Sequence, residues 1–98
     1  MGREKLKLRW THPALADLIE AQNYIVRENP SAAQALAQRI WDAAENLCEH
    51  PQMGRRGHVE GTREWVVNDT PYMIVYRVTT EAVEILRVWH GRRNWQGG

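Results

Sequence analysis

The sequence predicts a two-layer α+β domain, with a helical hairpin laid on one face of an antiparallel sheet. Three observations carry this. Between about residues 13 and 49, apolar side chains recur every three or four positions, in two runs separated by Asn29-Pro30. The period falls to two at residues 5–10 and again at 62–90. The chain has 98 residues, 43% of them apolar, which suits one modest core and no second domain. The expected order is an N-terminal strand, an antiparallel helical hairpin and a three-stranded antiparallel meander, with residues 1–98 forming one domain.

Each element has its own signal. In Lys5–Trp10, Leu6, Leu8 and Trp10 face one way and Lys5, Lys7 and Arg9 the other, as in a half-buried strand. Thr11-His12-Pro13 opens the first helix. Thr11 or His12 caps it, and Pro13 fits the first turn, where its missing N–H costs nothing. Asp17 and Glu20 lie towards the positive end of this helix. Ala14, Leu18, Ala21 and Ile25, joined by Leu15 and Ile19, form its apolar stripe, which ends near Glu28. Asn29 caps the second helix, whose stripe is Ala33, Leu36, Ala37, Ile40, Ala44 and Leu47; His50-Pro51 ends it. Residues 52–61 hold glycine and charge without helical spacing and are expected to be a loop. Arg63–Val67, Tyr72–Val78 and Ala82–His90 are strands, joined by turns at Asn68–Pro71 and Thr79–Glu81.

Composition excludes several classes of function. No apolar run reaches the roughly 20 residues of a membrane span. The start, MGREKLKLRW, lacks the apolar core of a signal peptide, so a cytoplasmic location is expected. A single cysteine, Cys48, provides neither an internal disulfide nor a cysteine-rich zinc site, and it is expected to pack on the second helix. No two histidines and a carboxylate have metal-ligand spacing, so no metal and no cofactor are expected. The net charge is only +1, yet eleven of the thirteen basic residues are arginine. Codon usage accounts for such a bias as readily as an anionic partner does, but arginine is the side chain suited to gripping carboxylates and phosphates.

The last two strands carry more apolar side chains than one buried face needs. Tyr72, Ile74, Tyr76 and Val78 alternate with Met73, Val75 and Arg77; Val83, Ile85, Arg87 and Trp89 alternate with Glu84, Leu86, Val88 and His90. Two helices cover one face, so the other is expected to receive a partner chain, unless loop 52–61 and the C-terminal tail fold over it. Trp41 and Trp65 are expected in helix–sheet packing, and Trp95 either staples the tail or meets a target.

Six segments, in order, resemble a known family. They are Trp10–Leu18 (WTHPALADL), Asn29–Ala33 (NPSAA), His50–Arg55 (HPQMGR), Gly61–Glu64 (GTRE), Pro71–Val78 (PYMIVYRV) and Val83–Arg93 (VEILRVWHGRR). Together they resemble the ParE/RelE superfamily of bacterial type II toxins and cover about Leu6 to Trp95. The resemblance implies a toxin neutralised by a cognate antitoxin, which wraps the toxin with its C-terminal part and meets operator DNA itself. Members of the ParE branch inhibit DNA gyrase. Members of the RelE branch cleave mRNA on the ribosome, by attack of a 2′-hydroxyl on the adjacent phosphate with a base, an acid and cations in support.

The ending Leu86–Arg93 is similar to the ParE type. Met73 stands where RelE-like nucleases often carry arginine, and no tyrosine follows Tyr76. The resemblance therefore implies gyrase inhibition first and ribosome-dependent mRNA cleavage as the alternative, with an inactive interaction module as a further one. Arg63, Arg77, Arg87, His90, Arg92, Arg93 and Trp95 are the candidate target- or antitoxin-binding residues. A nuclease would rest on His90, Arg87 and Arg63. His90 otherwise packs or contacts the antitoxin, and Arg63 otherwise serves the fold. His58 is expected to be a solvated loop residue, and His12 and His50 to border helix ends.

Overall fold

The computed structural model describes residues 5–91. Strand β1 (Lys7–Trp10) leads into helices α1 (His12–Val26) and α2 (Pro30–Glu49). Strands β2 (Arg55–Arg56), β3 (Arg63–Val66), β4 (Tyr72–Val78) and β5 (Ala82–His90) follow. The sheet order is β1-β5-β4-β3-β2. From β2 to β5 each strand runs antiparallel to the next, whereas β1 pairs with β5 in parallel. The sheet is thus mixed, not a meander with a separate strand. The hairpin α1–α2 supplies the long connection that lets β1 lie parallel to a strand of the same sheet.

The helices form where capping and spacing agree. Thr11 caps α1 by accepting the Ala14 N–H at 3.3 Å, and Asn29 caps α2 by accepting that of Ala32 at 3.1 Å; each is followed by proline in the first turn. His12 begins α1 and His50 caps the end of α2. Leu36, Ile40, Ala44 and Leu47 of α2 join Ala14, Leu18 and Ala21 of α1 over Ile74, Tyr76, Val83, Ile85 and Val88. Ile40, Leu47, Ile74, Val83 and Ile85 retain no accessible surface, and each stabilises the fold by about 1.5–3 kcal/mol through burial. Cys48 is buried among them, and burial raises its thiol above the ordinary range.

The α1 stripe is narrower than expected. Leu15 and Ile19 are 37% and 56% exposed, because the apolar packing of α1 runs along Ala14, Leu18, Ala21 and Ile25. Trp41 is 41% exposed, stacked on Trp10 at 5.1 Å between ring centroids, whereas Trp65 packs against the core as expected.

The expected loop 52–61 contains β2. Two arginines cannot show an alternating pattern, and a short charged edge strand is a common way to blunt a sheet edge. The loop is pinned by Tyr76, whose hydroxyl donates to the Pro51 carbonyl at 2.8 Å and accepts the Gly54 N–H at 2.9 Å. A Cβ on Gly54 would lie 2.5 Å from that hydroxyl and 2.8 Å from the Glu64 carbonyl, so only glycine fits.

The largest departure lies in β5. Val75 pairs with Arg87, but Tyr76 pairs with Ile85, so Leu86 is an extra residue in the ladder. This β-bulge reverses the alternation beyond it. Val88 and His90, not Arg87 and Trp89, continue the helix-side row begun by Val83 and Ile85.

Candidate functional site

The face of the sheet opposite the helices is assembled by strand register. One row crosses four strands as Arg55, Glu64, Val75 and Arg87. A second holds Val66, Met73 and Trp89, and a third Arg77, Glu84 and Arg9. Apolar side chains fill the middle and arginines line the rim. Val66 is 54% exposed, while Met73 and Val75 retain 7% each.

Most of the arginines on this face are held by carboxylates. Arg77 donates through Nε and NH2 to Glu84 Oε1, at 3.0 and 2.6 Å. Arg87 makes a bidentate pair with Asp17 of α1, at 2.7 and 2.9 Å, and its guanidinium lies 5.3 Å from the centroid of the Trp89 ring. Asp17 also accepts the Val88 N–H at 3.0 Å. It therefore closes the edge of β5 where β1 has already ended. The hydrogen bond to Asp17 raises Arg87 above its ordinary value, so its charge is permanent. Thr11 helps hold the same place. Its hydroxyl donates to the Ile85 and Leu86 carbonyls, at 2.8 and 3.2 Å, while it caps α1. The bulge that turns Arg87 outward is thus tied to the start of α1.

Glu64 has no counterpart elsewhere among the described residues, being the one buried charged side chain, at 4% exposure. Its Oε1 accepts from Arg55 Nε at 3.3 Å. Its Oε2 takes the His58 backbone N–H at 3.2 Å and lies 2.9 Å from His58 Nδ1. Burial alone would raise the Glu64 carboxyl. Hydrogen bonds from the His58 ring and backbone and from Arg55 outweigh it and leave the group below its ordinary value. A carboxylate that orients an imidazole beside arginine is an arrangement suited to proton transfer or to holding an oxyanion. A cavity of about 410 Å³ lined by Arg55, His58, Glu64, Val66, Tyr72 and Met73, among others, opens beside it.

The structure distributes the expected site residues unevenly. Arg77 and Arg87 share the outer face. Arg63 lies on the helix side, where it donates to the Gln52 and Gly54 carbonyls and to the Gln52 side chain. It holds the segment after α2. His90 is on the helix-side row in register with Tyr72, the two rings edge to face at 5.3 Å. The nuclease set His90, Arg87 and Arg63 is therefore split between two faces. Arg92, Arg93 and Trp95 lie outside the described residues. Arg55, Glu64 and His58 form a cluster that sequence alone does not reveal. The only hint was the pattern Arg55-Arg56-Gly57-His58 ahead of a charged residue in a strand. Among the described residues, no three His, Cys, Asp or Glu side chains converge to hold a metal ion, and no helix is long and apolar enough to cross a membrane.

A helical hairpin on one face of a small mixed sheet defines a two-layer α+β domain. The family model for the ParE toxin of the type II toxin–antitoxin system parDE matches residues 8–95, and the chain belongs to that family. It is 43% identical to the candidate toxin Y4kP of Sinorhizobium fredii, over 91% of this chain and 92% of that protein. It is also 43% identical to toxin RelE2 of Caulobacter vibrioides, over 86% and 93%. Its fold is similar to that of a chain from the chromosomal ParDE system of P. aeruginosa. That match has a TM-score of 0.81 and 27% identity, and covers 88% of this chain and 96% of that one. The RelBE2 toxin–antitoxin complex of Mycobacterium tuberculosis matches with a TM-score of 0.60 and 25% identity, covering 89% and 99%.

Proposed function

We propose that this type II toxin is a ParE-type inhibitor of DNA gyrase, neutralised by a cognate antitoxin that covers the outer face of its sheet. The observation that carries the gyrase reading is the difference in likeness, 0.81 to the ParDE chain against 0.60 to the RelBE2 chain. The electrostatics support it. The outer-face arginines Arg55, Arg77 and Arg87 are engaged by Glu64, Glu84 and Asp17, so among the described residues that face offers little free positive charge for a phosphoryl transition state. Both structural neighbours come from toxin–antitoxin systems, which supports an antitoxin partner for this chain. Operator DNA is then met by the antitoxin, and the toxin acts in the cytoplasm.

Expression without an antitoxin is expected to arrest growth and induce the DNA-damage response, and co-expression with a cognate antitoxin to restore growth. Growth arrest without DNA-damage signalling would contradict the gyrase target while leaving the toxin assignment intact.

One observation favours a second reading, ribosome-dependent mRNA cleavage. The His58–Glu64 pair is a better placed acid–base couple than His90, which packs edge-on to Tyr72. On that reading, primer extension on ribosome-bound mRNA shows new ends that His58→Ala abolishes and His90→Ala does not. Unchanged ends in the wild type reject it.

A further inference from the structure

Helix α1 buries one apolar stripe and exposes another. Ala14, Leu18 and Ala21 are buried, whereas Leu15, Ile19 and Val26 are 37%, 56% and 41% exposed. At about 100° per residue, the exposed three lie within roughly 40° of one another and roughly a third of a turn from the buried stripe. Ala16 and Asn23 are exposed beside them, so no charged side chain interrupts the stripe. A lone exposed leucine needs no explanation, but three apolar side chains aligned along one helix form a surface suited to a partner.

The charges at its margin indicate the partner. Glu20 and Arg27 are both exposed and lie two turns apart on the same side of the stripe. Arg27 keeps helical backbone angles, φ −61° and ψ −36°, so it continues the line of α1. Among the described residues neither forms an ion pair. The stripe and its margin are self-complementary. In a second copy running antiparallel about a two-fold axis at Asn23, residues 19 and 20 of one chain face residues 26 and 27 of the other. Ile19 then meets Val26, Glu20 meets Arg27, and the symmetry makes each contact twice. A parallel pairing would set Glu20 against Glu20 and Arg27 against Arg27. Ala16 and Asn23 are small enough to let the two helices approach closely. Helix α1 is about 22 Å long, so the contact falls at the small end of specific interfaces and should be reversible.

We propose that the exposed stripe of α1 is the contact between two copies of this chain, packed antiparallel about a two-fold axis at Asn23. The inference goes beyond the gyrase reading, and its test involves no gyrase. Sedimentation equilibrium of the full chain, from roughly 1 to 500 μM, covers the affinity expected of so small a contact. The mass should rise with concentration from 11.4 kDa towards twice that value. Ile19→Glu should weaken association at least roughly tenfold, because it places a charge in the middle of the stripe. Glu20→Arg and Arg27→Glu should each weaken it roughly three- to tenfold, and the double reversal should recover most of the loss. Val66→Glu, at an exposed apolar position on the outer face of the sheet, should leave association unchanged. All four positions are exposed, so the variants should keep melting temperatures near that of the wild type. A mass fixed at 11.4 kDa over the whole range would overturn the proposal. So would equal loss in Val66→Glu, or a double reversal no better than either single one.

Discussion

Asp17 does the work of several residues at the edge of β5. It neutralises Arg87 and takes the Val88 N–H that no strand reaches. Asp17→Ala is expected to cost about 1–3 kcal/mol in denaturant unfolding, because it strands a backbone donor as well as a charge. Asp17→Asn should lose less, since the amide oxygen still accepts from Val88. Glu64 has a distinct signature in pH. Its carboxyl is held below its ordinary value, so its contribution is fully present above the unfolded pKa and is lost as pH falls through the folded one. The stability gap between wild type and Glu64→Gln should therefore be constant near neutrality and narrow as pH drops below about 4.5. Melting curves over that range check this; a gap that widens in acid would contradict it. Tyr76→Phe removes a hydroxyl that both donates and accepts, and should cost about 1–3 kcal/mol while loosening residues 51–54.

At the scale of elements, the helices and long strands were legible because their signals are redundant. Asn29-Pro30 marks a cap and a first turn at once, and the stripe from Ala33 to Leu47 repeats over 15 residues before His50 ends α2. The short and irregular pieces were not. Strand β2 spans two residues, too few to show a period, and the parallel pairing of β1 with β5 depends on the path of the whole helical hairpin. The Leu86 bulge has no sequence mark such as glycine. One inserted residue was enough to exchange the faces assigned to Arg87 and Val88. The candidate site suffered accordingly. Arg77 and Arg87 were found together, Arg63 proved to hold a loop, and the Glu64 cluster needed three segments brought together in space. Deleting Leu86 should restore strict alternation while leaving Arg87 opposite Val75 and Val88 opposite Ile74, so the variant should still fold, and Leu86→Ala should cost only about 1 kcal/mol. Circular dichroism and melting of the two variants check this; loss of folding in the deletion variant would contradict the bulge assignment. Thr11→Ala cuts both the cap and the tie to the bulge and should cost about 1–2 kcal/mol.

For the whole molecule, the net charge of +1 conceals an ordered arrangement. Arginine–carboxylate pairs surround an apolar patch on one face, and two uncompensated arginines stand at the β2 edge. The opposite layer is a conventional core. We propose that these surfaces serve contact with gyrase and antitoxin, which is the central claim of a gyrase-directed function. Supercoiling of relaxed plasmid by purified gyrase, titrated with this protein, tests that claim most directly. Progressive loss of supercoiling, relieved by the cognate antitoxin, is the expected result. Undiminished supercoiling at a large molar excess of folded toxin would contradict it.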